Sequence, residues 1–163
     1  MSRRKLTYAQ GSLFSVRLAD GSEALGVVAR LNGSGIVLAY FFLGSPAAES
    51  LCADQADLCA MVGDLGLLEG GWTVKGPLPG FTPAAWPVPR FRSFDPLRQR
   101  WELREYTETL QLTRPAVATA DEVALLPEDG LMGEESAREA LQALLDSAKT
   151  PPRSAARPRR RAA

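Results

Sequence analysis

Residues 12–42 constrain the fold of this chain more than any other stretch. From Leu13 to Leu18 the side chains alternate, with Phe14, Val16 and Leu18 on one face and Ser15 and Arg17 on the other. Asp20-Gly21 follows, a pair that suits the tight turn of a hairpin. Leu25, Val27, Ala29 and Leu31 then share a face opposite Gly26, Val28 and Arg30, and Asn32-Gly33-Ser34-Gly35 supplies a second turn. Ile36 to Phe42 is apolar throughout, as expected of a central strand covered on both sides. Three strands joined by two short turns make a meander, so the chain is predicted to be built on an antiparallel sheet.

Downstream the periodicity changes. Residues 47–62 read as a helix, with Leu51, Leu58 and Met61 or Val62 inward and Glu49, Asp54 and Asp57 outward. Residues 65–68 read as a short strand or turn, and 72–76 as a strand ended by Pro77. The six prolines at 77, 79, 83, 87, 89 and 96 argue against any regular element across 77–97. The same segment carries Phe81, Trp86, Phe91 and Phe94, so it is expected to be an ordered loop pinned to the body by its rings. Residues 100–106 and 109–113 read as a last hairpin with Trp101, Leu103, Leu110 and Leu112 inward. Asp121 is placed to cap a short helix reaching Leu126, and residues 133–148 form an amphipathic helix through Ala137, Ala140, Leu141, Leu144, Leu145 and Ala148. The expected fold is a β-rich α+β domain over residues 6–148. Its centre is a bent antiparallel sheet or small open barrel of five to six strands, with helices packed on one side. Residues 1–5 form a basic end, and 149–163 an Arg/Pro-rich tail with no apolar face to bury, expected to be disordered.

Catalytic equipment is sparse. The chain has no histidine, which removes the commonest general base and most metal sites. Neither a phosphate-binding glycine-lysine loop nor a dinucleotide-binding glycine motif is present. The carboxylate pairs Glu134-Glu135 and Glu128-Asp129 fall at helix starts and turns, where the positive helix end and solvent suit them. On the helical reading of 47–62, Cys52 and Cys59 lie on one face about 10 Å apart along the axis, too far to bridge. They are expected to be small buried hydrophobes with reduced thiols, and no metal or cofactor is expected. No apolar run reaches the length of a membrane helix and no secretory signal is evident, so a cytoplasmic protein is expected. The expected role is binding, not catalysis.

The formal charge of zero conceals an asymmetry. Residues 6–148 hold ten Lys and Arg against nineteen Asp and Glu, while both ends are basic. An acidic body attracts basic partners and repels polyanions. Trp86, Arg90, Phe91, Arg92, Phe94, Arg98, Arg100 and Trp101 interleave rings with cations. Three readings of that pattern stand: rings filling the core with arginines paired to acids, a protein interface, or a surface that stacks bases and holds phosphate. The tail arginines likewise suit either nucleic acid or a solubilising end.

The residues also resemble a family. Gly11-Ser12-Leu13-Phe14-Ser15-Val16-Arg17-Leu18, then Asp20-Gly21, then Leu25-Gly26-Val27-Val28, is similar to the opening of the immunity protein 26 family. Val37-Leu38-Ala39-Tyr40-Phe41 resembles its third strand, Gly71-Trp72-Thr73-Val74-Lys75-Gly76 its Trp-x-Val strand, and Pro89-Arg90-Phe91 its Pro-x-Phe. The likeness spans residues 8–113. Lys75 departs from the usual hydrophobic residue, and the C-terminal helix and tail lie outside the match. The resemblance implies a bacterial antitoxin-like protein that binds and neutralises a polymorphic toxin. It marks Phe14, Asp20, Gly21, Gly26, Trp72, Gly76, Pro89 and Phe91 as fold-making residues, with Gly26 and Gly76 allowing close backbone approach and Trp72 and Phe91 filling the core. The acidic body adds that the toxin is basic. Candidate contact residues are Glu122, Glu128 and Asp129 on the acidic C-terminal segment, or Trp86, Arg90 and Arg92 on the proline-rich loop. The alternative is a small-barrel nucleic-acid-binding protein using the tail and the aromatic loop.

Overall fold

The computed structural model describes residues 5–149; the expectations for residues 1–4 and for the tail beyond 149 lie outside the described residues. The predicted meander is present as β1 (Ser12–Arg17), β2 (Glu23–Leu31) and β3 (Ile36–Phe42). At the first turn the Asp20 carboxylate accepts from the Ser22 amide at 2.9 Å, and Gly21 takes φ +86°, a value that side chains resist. At the second, the Asn32 side chain accepts from the amides of Ser34 and Ile36. The chain continues through β4 (Leu58–Gly63), a one-turn helix α1 (Leu65–Leu68), β5 (Thr73–Pro77), β6 (Phe91–Asp95), β7 (Arg100–Arg104), β8 (Ala116–Ala118), α2 (Ala120–Val123), β9 (Leu131–Met132) and α3 (Glu134–Lys149).

Six strands form one sheet in the order β5-β1-β2-β3-β4-β9, antiparallel except for the β4–β9 pair. The protein is thus α+β and strand-rich, with a bent open sheet that does not close into a barrel. A second sheet of three strands, β6-β7-β8, was not anticipated. Both faces of the large sheet are covered, which explains the unbroken apolar run of β3. On one face Phe14, Val16, Val28, Val37 and Phe41 pack against Trp72, Leu67 and the α3 residues Ala137 and Leu141. On the other, Leu13, Val27, Leu38, Tyr40 and Phe42 pack against Leu78, Trp86, Phe91 and Leu110. Burying each such large side chain contributes about 1.5–3 kcal/mol. Among the described residues no helix is long and apolar enough to cross a membrane.

Several expectations are corrected. Residues 47–62 are not a helix: two 3₁₀ turns (Ala48–Ser50 and Ala53–Gln55) lead into β4, which pairs along β3 with Ala39 opposite Ala60. A short apolar run is ambiguous between helix and strand, and here the second edge of β3 decides it. Cys52 and Cys59 therefore do not share a helical face. Cys52 is exposed between the 3₁₀ turns where a buried position was expected, Cys59 sits half-buried on β4, and both are free thiols. The proline-rich segment does contain a regular element, because the residues between Pro89 and Pro96 carry no proline and are free to pair as β6. The last hairpin is consequently β6–β7, with Phe94 opposite Trp101, and residues 106–112 retain a single bridge between Tyr106 and Leu112. Leu112 is exposed, and Trp101 and Leu103 lie on the face of the small sheet turned away from Phe91, where inward positions were expected; Leu110 is buried as expected.

The roles of two glycines also differ in kind. Gly26 lies under the ring of Phe14, so the close approach is to a side chain. Gly76 has open space around it but φ +106°, at the irregularity where β5 pairs with β1. That irregularity leaves Lys75 without a partner on β1 and its side chain exposed, which accounts for a cation at that position.

Candidate functional site

The proline-rich loop is held by one buried cation. In the β2–β3 ladder the register slips between Val28 and Arg30, so Ala29 and Arg30 both reach the face covered by the loop. The Arg30 guanidinium donates to the carbonyls of Ala29 (2.8 Å), Trp86 (2.9 Å) and Pro83 (3.1 Å) and pairs with Glu108. Trp86 is then 3% exposed, edge-on to Tyr40 and Phe42 and stacked with Phe81. Phe81, Trp86 and Phe91 pin the loop as expected, whereas Phe94 faces away from the core and Trp86 is not presented to a partner.

Alternation along β6 and β7 sorts the remaining rings and cations. Phe91 points into the core, edge-on to Tyr106. Arg92, Phe94, Trp101 and Leu103 share the opposite face, since Arg92 pairs with Leu103 and Phe94 with Trp101. Phe94 and Trp101 contact at 5.1 Å between centroids, and the Arg92 guanidinium sits 5.6 Å from the Trp101 ring. Arg92 also donates to the Ala124 carbonyl and lies 3.6 Å from the Glu128 carboxylate. The main chain joins the same elements, Arg92 donating to Pro127 and accepting from Asp129. Arg92 and Glu128, which the sequence placed on separate candidate segments, are thus brought together.

The other candidates divide. Asp129, with its side chain 6% exposed, accepts from Arg104 (2.9 Å) and from the Tyr106 hydroxyl (2.8 Å). Burial, together with that hydrogen bond, pushes the Tyr106 phenol up to about 12. Glu102 bridges Arg100 and Arg104 beside it. Thr119, and not Asp121 as expected, caps α2, which ends at Val123: Glu122 closes a capping box, its carboxylate accepting from the Thr119 amide while the Thr119 hydroxyl accepts from the Glu122 amide. Asp129 and Glu122 are therefore committed within the fold. Arg90 is exposed without an ion pair among the described residues.

Residues that sequence reasoning missed complete the surface. Leu97 at the β6–β7 turn is 94% exposed and Leu125, after α2, is 99% exposed. Beyond Arg92 the surface opens into a cleft of about 420 Å³ between α3 and residues 126–128, floored by Leu58, Ala60, Met132 and Ala140. Cys59 lines this cleft, and burial pushes its thiol up to about 12. Among the described residues no group of three His, Cys, Asp or Glu is arranged to hold a metal ion. No family model, curated protein or solved structure matches this chain.

Proposed function

We propose that this protein acts by binding, and that it neutralises a cognate bacterial toxin through a non-catalytic protein–protein contact. The observation that carries the binding role is the surface of the small sheet: the Phe94–Trp101 pair with Arg92 against it, together with Leu97, exposed in the β6–β7 turn, and Leu125, exposed next to the Ala124 whose carbonyl Arg92 reaches. Rings combined with a guanidinium are the favoured anchors of protein interfaces. That the partner is a toxin rests on the resemblance of residues 8–113 to the immunity protein 26 family. The acidic balance of residues 6–148 adds that a basic toxin is favoured, since complementary charge speeds encounter. A nucleic-acid role draws less support, because Arg92, Arg98, Arg100 and Arg104 each sit against a carboxylate. The test is co-expression with the product of the neighbouring gene. Rescue of growth and co-purification are expected, both weakened by Trp101→Ala; a chain that neither rescues nor co-purifies overturns the reading.

A further inference from the structure

We infer that two copies of this chain pair edge to edge through β8, joining their small sheets into one continuous sheet. The ladder pattern shows which backbone groups are free to do so. Along an antiparallel strand the N–H and C=O of successive residues turn to alternate sides. The Arg92 main chain donates to Pro127 and accepts from Asp129, so both of its groups turn away from β7. Ser93, next along β6, therefore turns toward Glu102, its partner on β7. Glu102 in turn faces away from β8, so its partner there, Val117, points its N–H and C=O outward. Among the described residues no hydrogen bond takes up either group, and Val117 is 63% exposed.

The edge is short and closed at both ends. Pro115 has no N–H, and the Thr119 N–H is taken by the Glu122 carboxylate. The outward donor that remains is the Val117 N–H, with the Val117 carbonyl beside it. A two-fold axis through Val117 gives each group its complement, because the central pair of such a ladder exchanges both hydrogen bonds. Side chains agree with that register: Ala116 meets Ala118 of the other copy, and the two Val117 side chains lie next to each other. Within β8 there is no charge, proline or bulge to repel a neighbour. Charge then selects a second copy over a foreign strand. Arg114 and Asp121 flank β8, both exposed and without an ion pair among the described residues. The two-fold register sets Arg114 opposite Ala120 of the other copy, beside its Asp121, and does so on both sides of the axis. A foreign strand would need an acid and a base at these mirrored positions, which the second copy supplies.

Analytical ultracentrifugation of the full chain tests this. Its mass is expected to rise from one chain toward two with concentration. Val117→Pro removes the outward N–H and spares the β7–β8 ladder, whose bonds come from Ala116 and Ala118, so it is expected to weaken the dimer by about tenfold. Arg114→Asp and Asp121→Arg are each expected to weaken it by about threefold, and the two together to restore it. Circular dichroism confirms that the variants fold. A monomer at every concentration, a dimer indifferent to Val117→Pro, or a double charge variant no tighter than the single ones would overturn the inference. So would a dimer that forms only after residues 150–163 are removed, which would give the edge to the tail. A monomer whose Val117→Pro variant loses a co-purifying toxin would give the edge to that toxin, and would likewise overturn the pairing of copies.

Discussion

Phe14 on β1 lies directly opposite Gly26 on β2, and its ring occupies the space a side chain at 26 would need: a Cβ there would fall 2.1 Å from Phe14 Cζ. The ring is fully buried, stacked on Trp72 at 5.3 Å and edge-on to Phe41 at 5.7 Å, so it has nowhere to retreat. Gly26→Ala is therefore expected to destabilise by about 3 kcal/mol, at the upper end for an overpacked core. Phe14→Leu shortens the obstruction. The double variant should be more stable than the sum of the two single losses by about 1 kcal/mol or more, read from urea denaturation. Additive losses would mean that the ring does not exclude the Cβ.

Arg30 and Glu108 are paired, but their replacements should not cost alike. Arg30 is buried and satisfies three main-chain carbonyls, whereas the Glu108 side chain is 74% exposed. Arg30→Met keeps the stem and strips the donors, so a loss of about 2–4 kcal/mol is expected. Glu108→Gln removes only an exposed partner and should cost under about 1 kcal/mol. Thermal denaturation of both variants checks the contrast, and equal losses would move the role from the carbonyls to the ion pair.

Arg30 also marks where the sequence ceased to be legible. The meander was readable because turn chemistry and alternation agree locally, as they do at Asp20-Gly21 and Phe14–Leu18. The slip at Ala29 has no such signature, so Arg30 read as one more residue of a regular alternation. Segment 47–62 failed for a related reason: Ala60-Met61-Val62 suits either element, and the neighbouring strand β3 chooses. At the surface, the ring–cation interleaving was visible, but not which members face inward. Trp86 and Phe91 went to the core, while Phe94 and Trp101 stayed out. The meeting of Arg92 with Glu128 depends on a main-chain contact between segments far apart in sequence, which no local pattern encodes.

The two cysteines should react at very different rates. Cys52 is exposed, whereas Cys59 is half-buried on β4 with its thiol pushed up to about 12. Near pH 8 Cys59 is then held as the thiol, and the thiolate is the reactive form. A chromogenic disulfide reagent is expected to titrate one thiol promptly and the second only slowly, with both reacting promptly in denaturant. Cys52→Ser should abolish the fast phase alone. A fast phase surviving in that variant would show Cys59 open to solvent.

The chain holds three tyrosines, and the fold suppresses ionisation of each. Tyr8 is held far above the usual range by burial and by its hydrogen bond to Asp64 at 2.6 Å. Tyr40 is raised chiefly by burial, with Cys59 adding to it, and Tyr106 is pushed up to about 12 by burial and Asp129. Because every folded-state value lies above the unfolded value of about 10, their stabilising contribution is fully present below pH 10. It is lost as pH rises through 10 toward the folded values. Ultraviolet titration of the native protein should therefore show almost no tyrosinate at pH 10, where the denatured chain is about half ionised. Denaturation midpoints should fall from pH 10 upward. Asp129→Asn removes the charge facing Tyr106 and should bring that one phenol toward its ordinary range, leaving Tyr8 and Tyr40 unmoved. A native titration centred near 10 would contradict the burial of all three.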